Sequence, residues 1–175
     1  MDIYYQVRRK AVEFARMERD AKVRADKGNI FRGKRIRDYQ KSVGMGEDNY
    51  CVAFVYWCYQ QACASLGKYN LIPKTARTHT LWNEAPYDWA LPVGEAPEPG
   101  DIWIRTDKPH VGLVREAING RGEVATVEGN TWRKEWIETV DGKSYKFHDW
   151  GVHGRIRNMS TNTLAILRPT WMADI

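Results

Sequence analysis

A nearly unbroken apolar run at residues 52–64 constrains the fold of this chain more than any other feature. Only two glutamines interrupt the run, so a helix formed by it has no polar face to turn towards water and must be buried nearly all round. Asp48 and Asn49 come shortly before it, and both are residue types that cap helix N-termini. Gly67 offers a position at which the helix ends. We therefore expect one central helix, with the remaining elements packed around it.

Cys51 immediately precedes this run and would lie in the first turn of the central helix. The unpaired N–H groups and the positive dipole end of a helix N-terminus favour a thiolate over a thiol. A nucleophilic cysteine is expected at such a position, although a buried structural cysteine is the more common role of this residue type. Glu47 and Asp48 would oppose a nearby thiolate unless their carboxylates point away or a base elsewhere in the chain supplies most of the activation.

A histidine suited to act as that base opens a predicted strand at residues 109–114. Pro109 favours an extended backbone, and the period of two places His110 and Gly112 on one face of the strand. Because glycine has no side chain, Gly112 leaves room beside the histidine for another element, here the helix that carries Cys51, to approach.

A second predicted strand, at residues 124–130, carries an unusual series of polar groups. Thr126, Glu128 and Asn130 share one of its faces, although a buried strand normally carries apolar residues there. A cysteine nucleophile, a histidine base and an acid or amide that orients the base are the parts of a cysteine–histidine hydrolase. The two strands therefore strengthen the case for a catalytic Cys51.

Together these motifs resemble the CHAP family of cysteine- and histidine-dependent amidohydrolases and peptidases, which is related to the NlpC-type and papain-like hydrolases. The matching motifs, in chain order, are Cys51 at a helix start, Pro-Gly-Asp-Ile at 99–102, His-Val-Gly-Leu-Val at 110–114 and Val-Glu-Gly-Asn-Thr at 127–131. The resemblance extends over about residues 7–169 and is specific because the motifs occur together. One departure is Tyr50, which stands where many members have tryptophan.

The resemblance implies a role for each of four residues. Cys51 would be the nucleophile, His110 the base and Glu128 the residue that orients the imidazole. Asn130 would be a further member of the site, as an asparagine frequently is in the family. Because members mostly cleave amide bonds in peptidoglycan, the resemblance also implies that substrate.

Tyr50, Trp132 and His153 are the candidates for substrate contacts. Trp132 follows the Val-Glu-Gly-Asn-Thr motif and would form a wall of the cleft, with a structural role as an equal alternative. His148 and His153 flank an aromatic and basic loop at residues 149–151, which would line the same cleft. For each of these two residues, an ordinary surface histidine is the alternative.

Helices precede strands in the predicted order of elements, which indicates an α+β fold with N-terminal helices packed on a mostly antiparallel sheet. The helices are expected to begin at Asp2, before Ile36, near Cys51 and at Thr75. Strands are expected at 101–105, 110–118, 123–128, 136–140, 143–147 and 164–167, with turns at 119–122 and 141–142. Prolines between 86 and 99 mark a loop that links two lobes of a single domain, residues 1–175.

The composition is that of one globular domain without a membrane span. The chain has 175 residues, of which 43% are hydrophobic, and no segment approaches the apolar length that crosses a bilayer. The first ten residues lack the apolar region of a Sec signal peptide. We therefore expect a protein that is made in the cytoplasm, does not insert stably into membranes, and reaches the periplasm or cell wall through a secretion system or on lysis.

The positive charge of the chain bears on its partners. A formal net charge of +5 and a pI of about 9.1 would draw the protein to an anionic polymer, although solvated basic helix faces are an equal explanation. No nucleic-acid-binding motif accompanies the charge, so no nucleic acid partner is expected. The expected partners are the peptidoglycan substrate and, for a delivered toxin, a cognate immunity or inhibitor protein.

No disulfide, metal or other cofactor is expected. Cys58 and Cys63 lie five residues apart on the predicted helix and do not face each other, so both should be reduced core residues. His148 and His153 have a spacing seen in zinc fingers, but no C-x-x-C pair accompanies them. The two adjacent acids before Cys51 are too few for a calcium site.

These inferences favour one function and leave two alternatives. The favoured function is that of a papain-like cysteine amidase or endopeptidase that cleaves bacterial peptidoglycan, either as an antibacterial effector or as a phage lysis enzyme. The first alternative is a cysteine protease or deamidase that acts on a protein substrate. The second is a binding module with an inert site, and the complete set of catalytic residue types speaks against it.

Overall fold

The computed structural model describes residues 3–105, 109–116, 122–159 and 163–170, and within them helices precede strands. The helices are α1 (Ile3–Asp20), α2 (Lys34–Ser42), α3 (Cys51–Ser65) and α4 (Thr78–Glu84), followed by a 3₁₀ turn at Tyr87–Trp89. The strands are β1 (Ile102–Arg105), β2 (His110–Glu116), β3 (Glu123–Thr131), β4 (Glu135–Val140), β5 (Lys143–His148), β6 (Gly151–Asn158) and β7 (Thr163–Leu167). No helix in these ranges combines the length and the apolar character needed to cross a bilayer.

Most of the described strands belong to a single antiparallel sheet. Its five strands follow the order β6-β3-β2-β1-β7, and β4 and β5 form a separate hairpin. The strands that carry the predicted base and acid, β2 and β3, are neighbours, with Leu113 opposite Val127. The α+β class, with N-terminal helices and an antiparallel sheet, is therefore confirmed.

Helix α3 lies at the centre of the fold, as its apolar composition requires. Every residue from 51 to 59 is buried, and α1, α2, β2 and β3 all pack against this helix. Ile104, Leu113 and Val127 are among the sheet residues that share its hydrophobic core. Because side chains alternate along a strand, their neighbours point to the opposite face of the sheet. There a smaller apolar cluster is formed by Trp103, Val114, Val124 and Ile166.

Two predicted helix starts differ from the structure. Helix α3 begins at Cys51 and no side chain caps it, so the prediction that Asp48 or Asn49 caps this helix was wrong. The Asp48 carboxylate instead accepts a hydrogen bond from the backbone N–H of Asn49 at 2.6 Å, which satisfies that amide locally. Helix α4 begins at Thr78 rather than at Thr75.

Strand β6 is an element that the sequence pattern did not predict. Residues 149–151 were expected to form a loop, and the strand lacks a simple alternation because histidine and arginine stand among its buried residues. It pairs with β3, and the pairing of Thr131 with Gly151 extends β3 beyond both of its predicted ends, Glu128 and Asn130. The predicted helix start at Asp2, the strand end at 117–118 and most of the turn at 119–122 lie outside the described residues.

Candidate active site

Cys51 is the first residue of α3 and is only 4% exposed. The packing of the helix in the core fixes the position of its thiol. The first hydrogen bond of the helix runs from the Phe54 N–H to the Tyr50 carbonyl at 2.8 Å. The Cys51 N–H therefore lies outside the helical hydrogen-bond ladder, and the positive end of the helix dipole is at the thiol.

His110 opens β2, and Glu128 lies on the adjacent strand β3. The His110 Nε2 and Glu128 Oε2 atoms are 2.8 Å apart, which is a hydrogen-bond distance. The Glu128 side chain passes over Gly112, where a Cβ atom would lie 2.5 Å from Glu128 Cγ. The space beside Gly112 is therefore filled by Glu128, and the prediction that it admits the helix of Cys51 was wrong.

The close approach between the sheet and α3 occurs instead at Gly129. A Cβ atom there would lie 2.7 Å from the Cβ atom of Phe54, so only glycine lets β3 come this near to the helix. Phe54 is one turn after Cys51 and Gly129 is next to Glu128. This contact therefore sets the distance between the element that carries the thiol and the strand that carries the acid.

Interactions with Cys51 and Glu128 determine the charge of His110. Burial alone lowers the pKa of the imidazole, but hydrogen bonding and charge interactions with Cys51 and Glu128 outweigh burial and raise the pKa from 6.5 to about 9. The ring is therefore an imidazolium at neutral pH. Because Nε2 faces Glu128, Nδ1 is the ring nitrogen that remains for the thiol. An imidazolium in this position can act as the acid–base partner of the Cys51 thiol.

Glu128 is completely buried, and its carboxylate is held by several donors. Arg157 donates from Nε to Oε1 at 2.8 Å and from Nη2 to Oε2 at 2.5 Å. The Thr126 hydroxyl donates to Oε1 at 2.5 Å. Burial alone raises the pKa of Glu128, but the hydrogen bonds from Arg157 and His110 outweigh burial and lower the pKa to about 2. The carboxylate is therefore ionised at neutral pH and accepts a hydrogen bond from the Nε2–H group of His110.

Arg157 is the residue of this site that sequence reasoning missed. It lies on β6 opposite Val124, and its guanidinium carbon is 4.9 Å from the centre of the Trp103 ring. The only sequence signal was indirect: a buried carboxylate needs a positively charged or hydrogen-bonding partner, and the motifs did not supply one. Because β6 was not among the predicted strands, the sequence did not indicate that Arg157 lies beside Glu128.

The Asn130 side chain holds the end of β3 to the segment before α3. Its Nδ2 donates a hydrogen bond to Asn49 Oδ1 at 2.7 Å, and its Oδ1 is buried without a hydrogen-bond partner within the described residues. The backbone φ of 55° lies in the left-handed region, which asparagine tolerates better than most residues. The structure thus brings Asn130 to the turn that leads into Cys51, rather than to the ring of His110.

The candidates for substrate contacts lie in different environments. Tyr50 is completely buried, with its ring 6.2 Å from the ring of Tyr39, so the structure places it in the core, contrary to its expected contact with substrate. Trp132 is 36% exposed, with its ring 4.3 Å from the ring of His148. His153 is buried, its Nε2 lies 2.6 Å from the Asp149 carbonyl oxygen, and it is one of the residues that line a groove.

Cys58 and Cys63 are buried and free, which confirms that both are reduced core residues. Burial raises the pKa of the Cys58 thiol well above its usual range and that of Cys63 to about 11, so neither is a thiolate at neutral pH. In the part of the chain that the structure describes, no three His, Cys, Asp or Glu side chains form a group that would hold a metal ion.

A thiol at a helix start, an imidazolium and a buried carboxylate form a site that can attack a carbonyl carbon and then protonate the leaving group. A family model for the CHAP domain matches residues 40–130, slightly more than half of the chain, and this range includes all three groups. Comparisons with curated proteins and with solved structures gave no significant match. The chain therefore belongs to the CHAP family, whose members are in general cysteine- and histidine-dependent amidohydrolases.

Proposed function

We propose that this protein cleaves amide bonds of bacterial peptidoglycan, with Cys51 as the nucleophile, His110 as the base and Glu128 as the residue that orients the imidazole. The observation that carries the proposal is the 2.8 Å contact between His110 and the buried Glu128, beside a thiol at the start of α3. Membership of a family of amidohydrolases supports the reaction type. The choice of peptidoglycan rests on the substrates that are usual in that family.

The first half-reaction forms a thioester. The Cys51 thiolate attacks the amide carbonyl carbon, and the backbone N–H of Cys51, which lies outside the helical ladder, donates to the developing oxyanion. As the carbon–nitrogen bond breaks, the imidazolium of His110 gives its proton to the leaving amine. The products of this step are the free amine, the acyl-enzyme and a neutral imidazole.

The second half-reaction regenerates the site. His110 takes a proton from a water molecule as the water oxygen attacks the thioester carbonyl. Cys51 leaves as a thiolate, the carboxylic acid product departs, and the imidazolium is restored. Glu128 accepts the hydrogen bond from Nε2 in both steps and keeps Nδ1 directed at the reacting atoms. Asn130 acts indirectly: its hydrogen bond to Asn49 holds the segment that precedes the nucleophile.

We also propose a biological setting. An enzyme with this substrate acts in the periplasm or cell wall, as an antibacterial effector delivered by a secretion system or as a phage enzyme released on lysis. In the first case the producing cell needs an immunity protein that blocks the site. The support for this setting is the location of peptidoglycan outside the inner membrane.

Incubation of purified sacculi with the protein, followed by mass spectrometry of the released fragments, tests the proposed function. We expect fragments that arise from one type of amide bond, which also identifies that bond. Cys51→Ala should release none, whereas Cys58→Ala, which removes a buried thiol of the same helix, should release the wild-type fragments. Sacculi left intact by the folded wild-type protein would refute the peptidoglycan substrate.

A folded Cys51→Ala variant that cleaves at the wild-type rate would refute the assignment of the nucleophile. His110→Ala should be as inactive as Cys51→Ala, and the double variant little worse, because the two residues act as one unit.

A further inference from the structure

A basic groove of about 960 Å³ lies on the β6 side of the active site. It is lined by residues from the end of α1, the segment that follows α1, β2, the loops before β4 and β6, and β6 itself. Within the described residues, seven basic and two acidic residues line it. The whole chain has 27 basic and 22 acidic residues, so the chain outside the groove has twenty of each. The residues that line the groove therefore carry a formal charge of +5, equal to the formal net charge of the whole chain.

Several of these cations are not neutralised by carboxylates. Lys22, Arg133 and Lys134 form no ion pair in the part of the chain that the structure describes. Arg155 donates from Nη1 to a backbone carbonyl at 2.9 Å, which fixes the guanidinium without reducing its charge. One carboxylate oxygen of Asp149 accepts hydrogen bonds from two backbone N–H groups, that of Arg133 at 2.8 Å and that of Lys134 at 2.6 Å. That aspartate shapes the loop and leaves the two cationic side chains available to a ligand.

The groove includes residues of the strand that pairs with the strand of Glu128. Across the paired strands β3 and β6, His153 lies opposite Glu128 and Arg155 lies opposite Thr126. Burial, and after it the charge of Arg157 and other nearby arginines, lower the pKa of Arg155. Arg157 and Arg133 thus add positive charge near Arg155, and Glu128 acts in the opposite direction.

We propose that this groove binds the free carboxylates of an acidic peptide stem next to the amide bond that Cys51 attacks. The inference rests on the function proposed above and adds the charge of the substrate to it. Arginine matches a carboxylate with paired N–H donors, and lysine adds a less directional charge. Amidation of a stem carboxylate removes its charge and leaves the chain otherwise unchanged. The groove therefore makes the enzyme selective for stems with free carboxylates over amidated stems.

The test uses two soluble muropeptides that differ only in whether the stem carboxylates are free or amidated. For the wild-type protein we expect kcat/KM to be roughly tenfold higher for the free form, through KM, with the difference shrinking at high salt. The double variant Arg133→Gln/Lys134→Gln, at two exposed side chains, should lose most of this preference by raising KM for the free form. Lys68→Gln/Lys74→Gln removes the same charge from exposed positions elsewhere and should keep the preference.

Three outcomes would overturn the proposal. Cleavage of both stems with equal kcat/KM would refute selection by charge and leave the proposed hydrolase function standing. A preference that persists in Arg133→Gln/Lys134→Gln but disappears in Lys68→Gln/Lys74→Gln would assign the selectivity to another surface. Failure of the folded wild-type protein to cleave either stem would refute both the groove and the peptidoglycan function on which it rests.

Discussion

Glu128 receives hydrogen bonds from His110, Arg157 and Thr126 and is the residue on which the site converges. Glu128→Ala keeps the thiol and the imidazole but removes the orientation of the ring. We expect a rate roughly a hundred to ten thousand times lower, by analogy with the loss of the orienting acid of a serine triad. Because the carboxylate raises the pKa of His110, the alkaline limb of the pH–rate profile should also move to lower pH. An unmoved limb in a folded variant would contradict this role.

Gly112 is the position at which a single methyl group should disable the site without touching a reacting atom. In Gly112→Ala the new Cβ would lie 2.5 Å from Glu128 Cγ, so the carboxylate must leave His110. We expect a loss of rate similar to that of Glu128→Ala. Gly46→Ala is the matched control, since a Cβ there meets no atom within 4 Å. Steady-state rates of the two alanine variants give the comparison, and equal rates would show that Glu128 is not displaced.

Arg157 should matter to stability as well as to the site. Arg157→Met leaves the completely buried Glu128 carboxylate without its cationic partner, which costs about 3–5 kcal/mol when a buried pair is broken. Arg155→Met, two residues away on the same strand, removes a guanidinium that has no carboxylate partner among the described residues and should cost about 1 kcal/mol or less. Urea unfolding measures both free energies. A similar loss in the two variants would mean that the Arg157–Glu128 pair does not stabilise the fold.

Helix α3 has both a structural and a chemical role, because it fills the core and carries Cys51. Replacing its two other cysteines tests the structural role alone. Cys58→Ala and Cys63→Ala shrink buried side chains and should each lower the free energy of unfolding by roughly 1 kcal/mol. Neither thiol should be needed for the reaction, so rates should stay near wild type. Melting temperatures measured beside the rates distinguish lost packing from lost chemistry. An inactive but folded Cys58→Ala would show that the wrong cysteine was assigned.

The elements also show how far the sequence could predict this structure. Helix α3 and strands β2 and β3 were predictable because an apolar run and a period of two leave a local pattern in the sequence. Strand β6 left none, because its buried Arg157 is stabilised by Glu128 on another strand and its buried His153 by the backbone carbonyl of Asp149, and neither pairing follows from a periodic pattern. The prediction at Gly112 named the wrong neighbour, because only the register of β2 on β3 shows that Glu128, not the helix of Cys51, fills the space.

For the whole molecule, we expect stability to be greatest between about pH 4.5 and 6.5. The pKa of Glu128 is about 2 against an ordinary 4.5, so its contribution is present above pH 4.5 and is lost as the pH falls towards 2. The pKa of His110 is about 9 against 6.5, so its contribution is present below pH 6.5 and is lost as the pH rises through 9. Each shift corresponds to about 3 kcal/mol, and the two share one contact and do not add.

Urea unfolding at a series of pH values checks this dependence. Glu128→Gln is the control, since it keeps the size of the side chain and removes its charge. The free energy of unfolding of this variant should vary less at both ends of the pH range. If the wild-type protein and the variant show the same slopes, the His110–Glu128 pair does not set the pH dependence.

The place of action is a property of the whole molecule as well. Cytosolic expression in a Gram-negative host should be tolerated, because peptidoglycan lies across the inner membrane. The same chain fused to a periplasmic signal peptide should lyse the cells, and its Cys51→Ala form should not. Growth and lysis curves of the strains provide the measurement. Cysteine-dependent toxicity from the cytosolic form would favour the alternative of a protein substrate.

Within the described residues, the β4–β5 hairpin pairs only with itself, and it is inserted between β3 and β6, which are neighbours in the sheet. Thr131 lies opposite Gly151, so the sheet already joins the two ends of the insertion at its base. A segment whose ends are held together in this way can change in length and sequence at small cost in loop-closure entropy. Evolution can therefore remodel the hairpin while the catalytic strands stay fixed, and an engineer can graft a new recognition segment at the same two ends.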